Sequence, residues 1–304
     1  MKTDFIADED NIRIDAYLAK KCDSISRAYI SKLIQEGKVL YNRKVCKPSE
    51  KIVRDALIEI DIPEPEESKA IPQDIDLDVV FEDEWIAVIN KPQGMVVHPA
   101  AGHKNGTLVN ALLYRFKGRL SDINGVVRPG IVHRIDKDTS GLLLVVKQNS
   151  IHHEIAQLIH NHDIRRTYRA IVIGTIEEDA GTIDAAISRS SENRLKNAVD
   201  REGKHAVSHF KVLKRYKNMT YVEIELETGR THQIRVHFSY IRHPVLGDAL
   251  YGGIRKGYAT KGQLLHACRL DFVHPVTKMD ISVEAPLPEY FQCILKQLDE
   301  EQLK

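Results

Sequence analysis

Arg128-Pro129-Gly130-Ile131-Val132-His133-Arg134-Ile135-Asp136-Lys137-Asp138-Thr139-Ser140-Gly141 runs directly into Leu142-Leu143-Leu144-Val145-Val146. Pro and Gly punctuate the start of the polar stretch and Gly closes it, so it reads as a loop fixed at its exit to a buried strand. A loop anchored in this way holds polar side chains in set positions. Arg134 and Lys137 flank Asp136 and favour the charged form required of a nucleophile or base. The same residues also suit a structural turn with local salt bridges, and taken alone they leave both readings open.

Outward from this loop, strands dominate. Val79-Val80-Phe81, a Glu82-Asp83-Glu84 turn and Ile86-Ala87-Val88-Ile89 predict a hairpin. Further strands are expected at Leu142–Lys147, Thr167–Ile173, Val207–Tyr216 and Tyr221–Glu227, and helices at Thr107–Phe116, Ile151–Ile159 and Thr231–Tyr240. Strands interrupted by isolated helices predict an α+β fold with a mainly antiparallel sheet rather than a regular βαβ alternation.

The net charge of +1 conceals segregation. Residues 12–54 carry 11 Lys/Arg against 4 Asp/Glu, residues 55–84 carry 1 against 12, and residues from 85 onward carry 31 against 23. Two basic bodies joined by an acidic connector suit a polyanionic partner in a way that overall neutrality does not exclude. The connector contains Pro63, Pro65 and Pro72, and stiffening by proline with extension by like charges predicts a linker over 63–78. The expected organisation is a small module over 1–62 and a large domain over 79–304.

Within the small module, Ile12, Ile14, Tyr17 and Leu18 predict a short helix. Ser26 is positioned to cap a second helix over Arg27–Glu36, with Ile30, Leu33 and Ile34 as its buried stripe and Gly37 as its stop. Val39, Tyr41, a polar turn at Asn42-Arg43, and Ala56–Ile60 predict small strands. Arg27, Lys32, Lys38, Arg43 and Lys44 form a basic set that fits either nucleic acid or an ordinary solvated face.

Several classes are disfavoured. No apolar run approaches the roughly 20 residues that span a bilayer, and the N-terminus lacks the apolar stretch of a signal peptide. Cys22, Cys46, Cys268 and Cys293 are scattered, which argues against a zinc site or a disulfide framework and fits a reducing cytoplasm. Of the 14 histidines, His232 and His237 are five apart and no His-Glu-x-x-His occurs, so no metal is expected.

Residues 26–39, Ser-Arg-x-x-Ile-x-x-Leu-Ile-x-x-Gly-x-Val, resemble the S4-like RNA-binding domain. His133-Arg134-Ile135-Asp136-x-x-Thr139-Ser140-Gly141 resembles the signature of the RluA/RluD family of pseudouridine synthases, with Ile135 where Leu is commoner. Asn90-Lys91-Pro92-x-Gly94 to Pro99, Gly106 to Leu112, Thr228-Gly229-Arg230-Thr231-His232-Gln233-Ile234-Arg235-Val236-His237, and His243 to Asp248 with Tyr251-Gly252 match in the expected order. The resemblance covers nearly the whole chain.

This resemblance implies Asp136 as the catalytic carboxylate, Tyr168 as an aromatic packing on the target base, and Arg230 as the basic residue pairing with the aspartate. On the residues alone, Tyr168 also fits a sheet core, and Arg230 also fits a phosphate contact. The S4-like resemblance implies RNA-backbone contacts by Arg27, Lys32, Lys38 and Arg43, and Arg134, beside Asp136, is a candidate wedge or phosphate contact during base flipping. Pseudouridine formation cuts the N-glycosidic bond, turns the uracil and joins its C5 to the ribose, so neither cofactor nor metal is required. Asp136 has three ways to act: on the anomeric carbon, on the uracil ring, or on a ribose proton. The expected partner is RNA, chiefly large-subunit rRNA or a ribosome assembly intermediate with tRNA as the alternative, and the expected enzyme is a cytoplasmic monomer. A non-catalytic S4-like RNA-binding protein and a glycosidic-bond hydrolase are the competing classes.

Overall fold

The computed structural model describes residues 2–22, 27–62, 70–99, 103–122, 129–193 and 195–303. The Ser26 cap, Pro63, Pro65 and Arg128 lie outside the described residues. The chain divides into two compact units, residues 1–67 and 68–304.

The first unit runs β1 (Lys2–Ile6), α1 (Ile14–Lys21), α2 (Arg27–Gln35), β2 (Val39–Tyr41), β3 (Lys44–Val45) and β4 (Leu57–Asp61), with sheet order β1-β4-β2-β3. Ile14, Tyr17 and Leu18 from α1 pack with Ile30, Leu33 and Ile34 from α2, all fully buried, as the three-to-four spacing dictates. Gly37 ends α2 with φ of 71°, Lys38 N–H donating to Leu33 O and Gly37 N–H to Ile34 O, the paired bonds of a Schellman motif. Asn42 and Arg43 both take positive φ, 48° and 63°, which matches the two-residue turn joining β2 to β3. β1 is additional to the expected elements; its Lys-Thr-Asp start hides an edge strand that pairs with β4.

The second unit runs β5 (Val79–Glu82), β6 (Ile86–Lys91), α3 (Leu108–Phe116), β7 (Ser140–Val146), α4 (Asn149–His160), β8 (Arg165–Ile173), β9 (Ala180–Asp184), β10 (Ile187–Arg189), β11 (Asn197–Val199), β12 (Val207–Arg215), β13 (Met219–Leu226), α5 (Gln233–Tyr240), β14 (Leu265–Val273), β15 (Asp280–Glu284) and α6 (Glu289–Gln302). Nine strands form one sheet, ordered β5-β6-β7-β14-β8-β13-β12-β9, with β15 paired to β14. All its pairings are antiparallel except β7 with β14. The fold is α+β, as the interrupted strand pattern predicts.

β6 and β7 are buried on both faces, which explains their unbroken apolar runs. Ala87, Ile89, Leu143 and Val145 pack with Leu108, Leu112 and Phe116 of α3, while Ile86, Val88, Leu142 and Leu144 pack with Ile151 and Ile155 of α4. Gly141 is required where β7 meets β14: its φ is 112°, and a Cβ there would lie 2.2 Å from Ala267 O.

The expected linker is shorter than 63–78. Ala70 is buried in the core of the second unit, Asn110 Nδ2 donates to Ile71 O at 2.8 Å, Gln73 N–H donates to Asn110 O at 3.0 Å, and Asn90 N–H donates to Asp78 O at 2.9 Å. Residues 70–78 are thus held by the start of α3 and the end of β6 through backbone and side-chain hydrogen bonds that composition does not reveal.

Candidate active site

The loop before β7 is held along its length. Lys91, fully buried at the end of β6, donates from Nζ to Pro92 O, Met95 O and Lys137 O at 2.8, 2.9 and 3.0 Å. Burial pushes its pKa down to about 7 against the opposing pull of Asp138 and Asp136. Three carbonyls, one for each ammonium proton, favour the charged form. Gly94 N–H also donates to Lys137 O, and Gln263 Nε2 donates to Thr139 Oγ1. His133 Nε2 accepts the Leu144 N–H at 2.8 Å. Burial, reinforced by the nearby Arg166 charge, pushes the His133 pKa down to about 3, so the ring stays neutral and able to accept.

Asp136 meets Arg235, whose Nη1 donates to Asp136 Oδ2 at 2.8 Å. The other edge of the same guanidinium grips Asp248, with Nε to Oδ2 at 2.6 Å and Nη2 to Oδ1 at 3.0 Å. Asp248 is fixed in turn by the N–H groups of Leu250 and Tyr251. Burial opposes the Arg235 charge, but the two carboxylates outweigh it and hold its pKa above the ordinary arginine value. His232 Nε2 lies 3.9 Å from Asp136, and its Nδ1 is 2.9 Å from the Tyr251 hydroxyl. Burial lowers the His232 pKa despite the pull of Asp136.

The approach to α5 is wound around one side chain. Gln233 Oε1 accepts from Thr228 Oγ1 and Arg230 N–H, while its Nε2 donates to Val207 O and Ser208 Oγ. This turn sets the start of α5 and directs Arg235 inward.

Asp136 opens into a cavity of about 390 Å³ whose walls include Arg134, Tyr168, Arg166, Arg230 and His232. Ile135, Ile234 and Leu265 supply apolar surface, and Asp136 is the cavity's one carboxylate among the described residues. Tyr168 is 6% exposed; β8 holds it between β13 and β14, opposite Ile224 and Ala267. A fixed carboxylate, an aromatic wall and surrounding cations suit a planar base carried on a polyanion.

A family profile described as RNA pseudouridylate synthase matches residues 86–240, and an S4 domain profile matches residues 12–58. The chain belongs to the RNA pseudouridylate synthase family. An uncharacterized RNA pseudouridine synthase of Bacillus subtilis, YlyB, is 48% identical to the synthase over 91% of either chain. The ribosomal large subunit pseudouridine synthase D of Zymomonas mobilis is 46% identical, over 94% of this chain and 93% of that protein. Among solved structures, human RNA pseudouridylate synthase domain containing 1 aligns with a TM-score of 0.56 at 25% identity, covering 78% of this chain and 98% of the other.

The synthase brings Asp136, Tyr168, Arg134 and Arg230 to one cavity, with a corrected partner for the aspartate. Arg230, expected to pair with Asp136, donates from Nε to His205 O at 2.9 Å; Arg235 holds the carboxylate instead. Both arginines lie in the quoted Thr228–His237 stretch. Arg230 precedes α5 and is exposed, whereas Arg235 is buried on α5. Lys91 and Asp248 also stood within quoted motifs; their signal was a charged residue amid residues destined for burial.

In the first unit, Arg27 Nη2 lies 3.1 Å from the buried Asp15, and Lys32 lies 3.6 Å from Glu36 one turn on. Lys38 and Arg43 are exposed without an ion-pair partner among the described residues. No group of three or more His, Cys, Asp or Glu among those residues gathers to hold a metal, and no helix there is long and apolar enough to cross a membrane.

Proposed function

We propose that the synthase isomerises uridines of large-subunit ribosomal RNA, as a cytoplasmic monomer, with Asp136 acting on a nucleotide flipped into the cavity. The observation that carries this reading is the Asp136 carboxylate, fixed by Arg235 in a cavity walled by Tyr168. The N1–C1′ bond breaks, C5 joins C1′, the C5 proton leaves and N1 takes one up, so no other reactant is consumed. Arg235 keeps the carboxylate aimed and balances its charge as the glycosidic bond changes. The Tyr168 ring gives the detached uracil a face on which to turn, and the enclosing walls limit its loss to water. The similarity to relatives described as ribosomal large subunit pseudouridine synthases supports rRNA as the substrate.

The test is tritium release from C5-labelled uridine in an unmodified large-subunit rRNA transcript. Wild type is expected to release tritium without freeing uracil, and Asp136→Asn to release none while binding the transcript normally. Full activity in Asp136→Asn, or free uracil from wild type, overturns the proposal; release from tRNA transcripts alone reassigns the substrate. The first unit is proposed to hold RNA backbone through Arg27, Lys32, Lys38 and Arg43. Replacing Lys32, Lys38 and Arg43 together with Gln is expected to flatten the salt dependence of binding by about 2 logarithmic units per decade of salt, roughly 0.7 for each lost single-strand phosphate contact. An unchanged slope removes these residues from the interface.

A further inference from the structure

We propose that Arg166 forms a phosphate subsite inside the catalytic cavity, gripping a phosphodiester beside the target uridine; this rests on the RNA-isomerising reading above. Arg166 is only 6% exposed, yet its Nε has no hydrogen-bond partner and its guanidinium makes no ion pair among the described residues. Its side chain lines the same cavity as Asp136 and Tyr168 because residues two apart on a strand share a face. A cation removed from water without a counter-charge is unfavourable, so it persists only where something else supplies the charge.

The nearby carboxylates do not supply it. Asp136 and Asp248 are engaged by Arg235. Glu223 and Glu225, across on β13, pair with Arg169 and Arg165 on the opposite side of the sheet. The surroundings also leave room for the guanidinium. A Cβ at Gly229 would lie 2.7 Å from Arg166 Nη1, and Gly229 has no positive φ that would otherwise call for glycine. In RNA the full negative charges are the phosphates, which a guanidinium contacts through two parallel N–H bonds. Uracil and ribose oxygens are neutral and leave the buried cation uncompensated.

The experiment measures binding of the unmodified large-subunit rRNA transcript against salt for the full-length protein, together with tritium release and thermal unfolding. Arg166→Gln is expected to weaken binding about tenfold or more and to lower the salt slope by about 0.7. Tritium release at subsaturating RNA is expected to fall in step with the lost binding, and Arg166→Lys to restore the slope. Because the variant loses an unpaired buried charge, its melting temperature is expected to hold or rise. An unchanged salt slope, or a melting temperature that falls in both Gln and Lys variants, overturns the subsite in favour of a base contact or a structural role. If wild type releases no tritium, the activity reading falls by itself, and the binding slopes still decide whether Arg166 meets a phosphate.

Discussion

Alternate residues of β8 open onto two hollows of similar volume, about 360 Å³ and about 390 Å³. On the side of Arg165, Thr167 and Arg169, arginines face carboxylates: Arg169 meets Glu223 at 2.6 Å, Arg269 meets Asp271 and Glu284 at 2.8 and 3.1 Å, and Arg165 lies 3.9 Å from Glu225. On the side of Arg166 and Tyr168, cations outnumber carboxylates, and Arg166 and Arg134 have no ion-pair partner among the described residues. The arginine charges of the first hollow are paired within the chain, while Arg166 and Arg134 in the second are left for an anion to meet. Volume alone does not distinguish them; the charge balance does.

The strongest test removes the pairing that the incomplete side does possess. Arg235→Gln leaves Asp248 buried without its guanidinium and Asp136 without its anchor, so stability in urea unfolding is expected to fall by about 3–5 kcal/mol. Tritium release is expected to drop more than about a hundredfold. Adding Asp248→Asn is expected to recover much of the stability and little of the activity, which separates the structural half of the bridge from the chemical half. Lys91→Met removes the donor from three backbone carbonyls and is expected to cost roughly 3 kcal/mol, with a fall in single-turnover rate as the Asp136 loop loosens.

A smaller effect comes from pH. Burial lowers His133 to about 3 and His266 to about 4, whereas the unfolded chain binds those protons near pH 6.5. The unfolded state therefore takes up more protons as pH falls below 6.5, and stability drops by about 1.4 kcal/mol per unit for each ring until its folded pKa is reached. Urea unfolding at pH 7.5 and 5.5 is expected to differ by roughly 3 kcal/mol from these two rings, and His266→Asn to remove about half of that difference. Least affected is the satisfied side: Arg169→Gln breaks a partly exposed pair and is expected to cost less than about 1 kcal/mol, with tritium release unchanged. A large loss of activity there would erase the contrast between the two hollows.

β6 and β7 were legible because burial on both faces leaves an unbroken apolar run, and the Asp136 loop because Pro, Gly and charge mark its edges. β14 was not, although it sits near the middle of the sheet. Leu265, Ala267 and Leu270 are interleaved with the polar His266, Arg269 and Asp271, and the partner that lets His266 be buried, Ser140, lies 126 residues away. α6, additional to the expected elements, carries a stripe of Phe291, Ile294 and Leu298 at helical spacing. The exchange of Arg230 for Arg235 turned on where α5 begins, since five residues of spacing do not say which arginine lies inside.

The central place of β14 has a consequence for biosynthesis. β7 and β8 share no neighbour until residues 265–273 have left the ribosome, because β14 lies between them. Asp136 and Tyr168, contributed from the two sides of that gap, stay unassembled on a nascent polypeptide missing its last forty residues. A prematurely terminated product would bring neither the chemistry nor its hazards to the transcripts around it.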